Sequence, residues 1–263
     1  MLTKDTTRQV LDIAILAGQI MLENGAETYR VEETIEIICK SRGLTDVHGF
    51  TIPTGIFLSC RFEDKDFSYV RRLRSSIIDL HIISMVNDFS RTYVNSDIPY
   101  EEAIEQLQQI RKAPHFPPLL QYCAGGIAGG FFSVIYGGNA IEAMLSFITS
   151  FMVMFTVHQI SKKTKAFFLK NLGGGMVNTL LAMLLTDAFS YFGIYPDINI
   201  IIIGAVMPLV PGVAITNALR DTISGDFVSG VSKLSEAFGI AIAIALGVGT
   251  ILHLRLLITG GVL

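Results

Sequence analysis

The residues most able to do chemistry in this sequence lie in an apolar stretch, INIIIIGAVMPLVPGVAITNAL, with Pro208, Pro211 and Gly212 near its middle. Each proline removes a backbone donor and clashes with the preceding turn, so the run predicts a kinked or interrupted helix. Main-chain groups freed there must find partners, and interrupted helices use such groups and their terminal dipoles to hold small polar solutes or ions. A structural kink satisfied by neighbouring helices is the other reading of the same residues. Asn178 and Thr179 lie in the preceding apolar stretch, where uncharged polar side chains bind a solute or bridge helices. Asp187 is the acid set deepest in any apolar stretch, which makes it a candidate proton carrier or, nearer the stretch's end, an interface residue that reaches water. Beyond the prolines, TNALRDTISGDFVSGVSKLSEA carries Asn217, Arg220, Asp221, Asp226 and Glu236. Asn217 and Arg220 join the candidate solute-binding set, Arg220 as a cation able to attract a carboxylate. Asp221, Asp226 and Glu236 are candidates for a gate at the mouth of the passage. Loop anchoring explains Arg220 equally well.

Other chemistries find little support. His48, His81, Ser59 and Cys60 could in principle form a catalytic set, but no GxSxG or HExxH spacing accompanies them. No catalytic residue is assigned. Cys39, Cys60 and Cys123 are far apart, without CxxC or metal-ligand spacing, so neither a metal nor a cofactor is expected. A GxxxxGK[ST] phosphate loop is missing from the sequence, which argues against direct nucleotide use. With a net charge of −3 and no concentrated basic face, nothing favours nucleic acid as a partner.

The charge distribution divides the chain in two. Residues 1–117 hold 13 of the 20 Lys and Arg and 17 of the 23 Asp and Glu, which leaves 7 basic and 6 acidic groups for residues 118–263. So low a density does not suit a water-facing surface. About twenty apolar residues cross a hydrocarbon core of roughly 30 Å, and five stretches qualify. They run approximately over Leu119–Tyr136, Ile141–Ile160, Phe168–Gly193, Ile198–Leu219 and Leu234–Ile258. The expected fold is an α-helical membrane protein with about five transmembrane helices, preceded by a small α+β cytoplasmic domain. Lys162, Lys163, Lys165 and Lys170 follow the second span and Arg220 and Lys233 the fourth, while the opposite connections carry no Lys or Arg. The positive-inside rule then expects the N-terminus in the cytoplasm and the C-terminus outside, in a cell inner (plasma) membrane. The first twenty residues do not resemble a cleaved signal. Gly125, Gly126, Gly129 and Gly130 give overlapping GxxxG spacings suited to close helix approach.

In residues 1–117, apolar positions from Val10 to Leu22 recur at helical steps, with a stop near Asn24-Gly25. A second helix is expected over Glu27–Arg42, ended by Gly43. Between Val47 and Leu73, β-branched and aromatic residues predict about three short antiparallel strands, with turns at Pro53-Thr54-Gly55 and Glu63–Asp66. Helical spacing returns over Ile77–Phe89 and again near Asp97–Pro99, and Pro114, Pro117 and Pro118 mark the linker.

Four pieces, NGAETYRVEE at Asn24–Glu33, IPTG at Ile52–Gly55, MPLVPG at Met207–Gly212 and NALRDTISGDFVSG at Asn217–Gly230, resemble the threonine/serine exporter family in their order and spacing. The likeness is to the shorter form that carries only the N-terminal half, as in the larger subunit of a two-component succinate exporter. It implies export of threonine and serine, or of a dicarboxylate such as succinate. It further implies a smaller integral membrane partner carrying the second half of the fold, and a homo-oligomer is a further possibility. The energy source would be an ion gradient, with protons as the first candidate. Glu27, Arg30 and Glu32 fall within the matching segment, as a gate, a partner surface or ordinary ion pairs. A membrane-anchored enzyme or regulator, active through the N-terminal domain, is the alternative class.

Overall fold

The computed structural model describes residues 4–62, 65–73, 77–114, 116–164 and 166–259, which form two compact units. The first comprises Met1–Pro114 together with Ala214–Leu234, so the polar segment after the prolines belongs to it.

This unit opens with α1 (Lys4–Glu23) and α2 (Thr28–Ser41). α1 begins a turn and a half before Val10, because KDTTRQ contains neither Gly nor Pro and Thr7 is already buried. Gly25 and Gly43 end the two helices at φ of +82° and +78°, where residues with a Cβ are strained. A Cβ at Gly18 would stand 2.6 Å from Ile35 Cδ1, a measure of how closely α1 and α2 pack. Three strands follow, β1 (Thr45–Ile52), β2 (Gly55–Phe62) and β3 (Lys65–Arg72), in an antiparallel sheet of order β1-β2-β3. Of the turn expected at Glu63–Asp66, Glu63 and Asp64 lie outside the described residues, and Lys65 and Asp66 already pair with β2. Then come α3 (Leu80–Val94), capped by the Asp79 carboxylate, and α4 (Tyr100–Arg111), which starts after Pro99. Their apolar faces meet those of α1, α2 and β2 in one core that includes Ile20, Ile35, Ile56, Val86 and Leu107. Burial of such side chains drives this assembly.

The second unit comprises His115–Val213 and Ser235–Leu263. It contains α5 (Pro118–Ile135), α6 (Ala140–Lys163), α7 (Phe167–Ser190) and α8 (Ile198–Val206). A single 3-10 turn (Met207–Leu209) leads to α9 (Gly212–Ile223), and α10 (Phe227–Thr259) runs on from the first unit into the second. Four of these helices are long and apolar enough to cross a membrane, and the α8–α9 pair, bent by 57° at its break, makes up to five. The last helix starts seven residues before the expected Leu234, because the turn at Gly225, φ +96°, is the interruption that separates it from α9. Lys165, one of the lysines that orient the spans, lies outside the described residues.

Glycines let these helices approach backbone to backbone. A Cβ at Gly204 would come within 2.9 Å of the Gly129 carbonyl, joining α8 to α5. One at Gly175 would come within 2.6 Å of the Ile244 carbonyl, joining α7 to α10. At the other end of the unit, the buried Glu142 closes a capping box with Asn139 at the start of α6. Its Oε1 also accepts the Asp197 amide at 2.8 Å, which pins the start of α8 level with that of α6.

Candidate functional site

The fourth span is interrupted where its prolines fall. Pro208 has no N–H for the Gly204 carbonyl, and the Met207 amide takes that carbonyl instead. Pro211 likewise leaves the Met207 carbonyl to the Val210 amide, at 3.0 Å, while the Gly212 amide bonds Val210 O at 2.8 Å. Val210 is extended, with φ −63° and ψ 128°, and α9 starts two residues later. The main chain at the break thus satisfies much of its own hydrogen bonding. The polarity available along this span comes mainly from side chains that lie short of the break.

Those side chains form a layer between two apolar clusters. Leu145, Ala182, Ile201 and Ile202 make one cluster, and Val153, Leu209 and Ile244 the other. Between them α6 contributes Ser146, Thr149 and Ser150 and α7 contributes Asn178 and Thr179, all fully buried. Thr149 is seven residues beyond Glu142, hence about 10 Å along α6 at 1.5 Å per residue. Ile202 is five residues beyond Asp197, about 7.5 Å along α8, and its carbonyl points further along the axis. Because Glu142 holds the Asp197 amide, these depths coincide. Asn178 reaches the same level, since its Nδ2 donates to Ile202 O at 3.1 Å.

That bond also orients the amide, leaving Asn178 Oδ1 as an acceptor aimed elsewhere. Oδ1 has no hydrogen-bond partner among the described residues, and neither do Ser146 Oγ or Thr149 Oγ1. Ser150 and Thr179 are satisfied by the carbonyls of Gly125, at 2.8 Å, and Gly175, at 3.1 Å. Three buried polar atoms without partners, beside an interrupted helix, are costly unless something else occupies their hydrogen bonds. Asn178 was legible from the sequence. Ser146 and Thr149 were not, because a hydroxyl in an apolar run ordinarily bonds back to its own helix.

The remaining candidates of this unit stand apart from that layer. Asp187 pairs with Arg255 of α10 at 2.9 Å, its side chain 59% exposed. Glu236 is exposed on α10, and Gly212 has nothing within 4 Å of where its Cβ would be.

Asn217, Arg220, Asp221 and Asp226 belong to the first unit and are taken up by its own groups. Asn217 Nδ2 donates to Gly25 O at 3.1 Å, and Arg220 is bound to Glu27, which also pairs with Arg30 at 3.3 Å. Asp221 is fully buried: its Oδ2 meets Lys233 Nζ at 2.8 Å and its Oδ1 accepts from Thr28 Oγ1 at 3.0 Å. Asp226 Oδ2 lies 3.2 Å from the same hydroxyl. Glu32 Oε1 accepts the Thr51 amide at 2.7 Å, and Ser229 Oγ donates to Thr51 O at 3.1 Å. Burial lifts the Glu32 carboxyl above its ordinary range, the Thr51 amide opposes this, and the nearby charge of Asp226 adds to the rise. The segment matching at Asn24–Glu33 is therefore the seat for α9 and the start of α10.

The would-be catalytic residues are arranged differently. His48 and Ser59 are cross-strand partners on exposed positions of the sheet, whereas Cys60 faces the core and burial raises its thiol. The Cys39 thiol is pushed up to about 12 by burial, which leaves it inert as a nucleophile. No cluster of three or more His, Cys, Asp or Glu able to hold a metal occurs among the described residues.

Long apolar helices, one of them interrupted beside a buried polar layer, define a multi-pass membrane protein. The chain belongs to the threonine/serine exporter family: the model for the putative threonine/serine exporter matches residues 12–255. It is 26% identical over 262 residues to the threonine/serine exporter of Corynebacterium glutamicum, covering 94% of this chain and 53% of that protein. It is 21% identical to the probable threonine/serine exporter of Mycobacterium tuberculosis, covering 92% of this chain and 45% of that one. The chain thus spans about half the length of these two relatives. With the probable succinate transporter subunit YjjP of Escherichia coli it shares 22% identity over 92% of this chain and 93% of that one. No solved structure matches the chain.

Proposed function

We propose that this protein is a subunit of a secondary transporter that exports small polar metabolites, either threonine and serine or a dicarboxylate such as succinate. The carrying observation is the interruption of the α8–α9 span, which begins at Met207, five residues or about 7.5 Å beyond the level of the unpartnered buried groups of Ser146, Thr149 and Asn178. Asn178, Thr179, Pro208, Pro211 and Gly212 surround the solute at mid-membrane in this reading, and Asn217 and Arg220 meet it at the cytoplasmic mouth. Asp221, Asp226 and Glu236 serve the gate there. The N-terminus is cytoplasmic and the C-terminus outside, in the plasma membrane. The match to a protein named a transporter subunit, over 93% of its length, supports action with a smaller membrane partner, and a homo-oligomer fits the same reading. An ion gradient drives export, with Asp187 as the proton carrier within the spans.

Uptake of labelled threonine, serine and succinate into everted vesicles, with and without a candidate partner, tests this. Gradient-dependent accumulation of one solute, reduced at least tenfold by Pro211→Ala, is the expected result. The same flux in vesicles lacking the chain, or flux untouched by Pro211→Ala and Asn178→Val together, would overturn it.

A further inference from the structure

The N-terminal unit gathers more negative charge around the start of α2 than its cations neutralise. Glu32 of α2, Asp221 of α9 and Asp226 of the loop before α10 face one another, and Lys233 of α10 is bound to one of them, Asp221, at 2.8 Å. Lys233 also points at the Ala26 carbonyl, 3.5 Å away. The neighbouring arginines are committed elsewhere, Arg220 and Arg30 both to Glu27. β1 contributes the neutral Thr51, and α10 adds the neutral Ser229.

The hydrogen count at Thr28 makes the imbalance concrete. A threonine hydroxyl has one proton to donate, and an ionised carboxylate only accepts. Thr28 Oγ1 is fully buried and lies 3.0 Å from Asp221 Oδ1 and 3.2 Å from Asp226 Oδ2. It can donate to one of them, and the other oxygen then faces a lone pair unless it carries a proton itself. An independent observation lies on the other side of Glu32. Thr51 Oγ1 is buried and has no hydrogen-bond partner among the described residues, although the Thr51 amide holds Glu32. That hydroxyl can donate to the ionised Glu32 carboxylate, which opposes protonation, or accept from the protonated acid. Asp221 is fully buried and Glu32 and Asp226 are half-buried, and like charges set this close favour the uptake of a proton.

We propose that Glu32, Asp221 and Asp226, arranged around Thr28, Thr51 and Lys233, are a proton-binding site that holds one proton as a group. The proton is shared, so its release belongs to the cluster and to no single side chain. With it bound, both Thr28 contacts are hydrogen bonds and the charge falls to one carboxylate beyond Lys233. Once it leaves, Asp226 and Asp221 repel across Thr28, and α9 and the start of α10 lose part of their hold on α2. Asp187 offers a less direct route, since a proton there displaces Arg255. Any link to solute movement rests on the exporter reading above, whereas the proton site does not.

Infrared difference spectroscopy of the purified protein across a pH titration reads protonated carboxyl groups directly, and isotope-labelled aspartate separates the Asp bands from Glu32. The wild type should show one protonated carboxyl that persists above the ordinary carboxylate range. Asp226→Asn, whose amide can donate to Thr28 while Asp221 still accepts, should abolish that band and keep the fold. Thr28→Val should move its titration midpoint. No protonated carboxyl in the wild type above pH 6, or a band unchanged in both variants, would overturn the site. Flux in vesicles from the same preparations separates the two readings. A band lost in Asp226→Asn from a protein that moves no solute leaves the proton site standing and removes the exporter reading. Where both hold, wild-type export should fall roughly tenfold per pH unit above the midpoint, as a one-proton step requires, and the Asp226→Asn profile should be flat.

Discussion

At the scale of single residues, the account rests on buried groups whose hydrogen bonds are incomplete. Asn178 joins α7 to α8 through one bond, to Ile202 O, and its buried Oδ1 has no hydrogen-bond partner among the described residues. Asn178→Val removes both. Its cost in stability should be about 0.5–2 kcal/mol, the usual worth of a hydrogen bond between membrane helices. Export should fall by tenfold or more, a disproportion readable by comparing thermal melting with flux. Glu32 makes a pH prediction. Its carboxyl is raised above the ordinary value of 4.5, so the folded protein binds that proton more tightly than the unfolded chain. The stabilisation from this group is therefore complete at low pH and is lost as pH climbs from 4.5 through the raised value. Glu32→Gln should flatten that decline, measured as melting temperature against pH, and the Thr51 amide keeps an acceptor in the variant. Asp187 illustrates the limit of reading residues singly. The sequence marks it as an acid in an apolar span, but its partner, Arg255, lies 68 positions away and no local pattern joins them.

At the scale of elements, the interruption of the fourth span was legible because two prolines and a glycine within five residues leave a helix no way through. Its form was not. The 3-10 turn that returns the Gly204 and Met207 carbonyls to nearby amides depends on main-chain angles that sequence does not print. Likewise the three-stranded sheet follows from β-branched and aromatic residues between Gly and Pro turns, while the seating of α9 and α10 on α2 needs contacts almost two hundred positions apart. Pro211→Ala restores a donor for the Met207 carbonyl and should straighten the span, lowering flux with little loss of folded protein. Gly175→Ala works through packing alone. Its methyl would meet the Ile244 carbonyl at 2.6 Å, and backbone on the facing helix has no rotamer to escape into. The expected cost is about 1–3 kcal/mol, seen as a lower melting temperature in detergent.

At the scale of the whole molecule, charge separates a unit with a water-facing composition from one with lipid-facing helices, and this division was the plainest message of the sequence. What composition cannot tell is that residues 214–234, flanked by apolar spans, fold with the N-terminal unit. The central claim, that the interrupted span borders a path for a polar solute, is tested most directly by labelling at the break. Gly212→Cys, in a background without Cys39, Cys60 and Cys123, places a thiol where nothing stands within 4 Å. A membrane-impermeant thiol reagent should modify it in membranes, and one of threonine, serine or succinate should slow that reaction. A thiol that stays unmodified while the folded protein is present, or one whose rate ignores all three solutes, would contradict the claim.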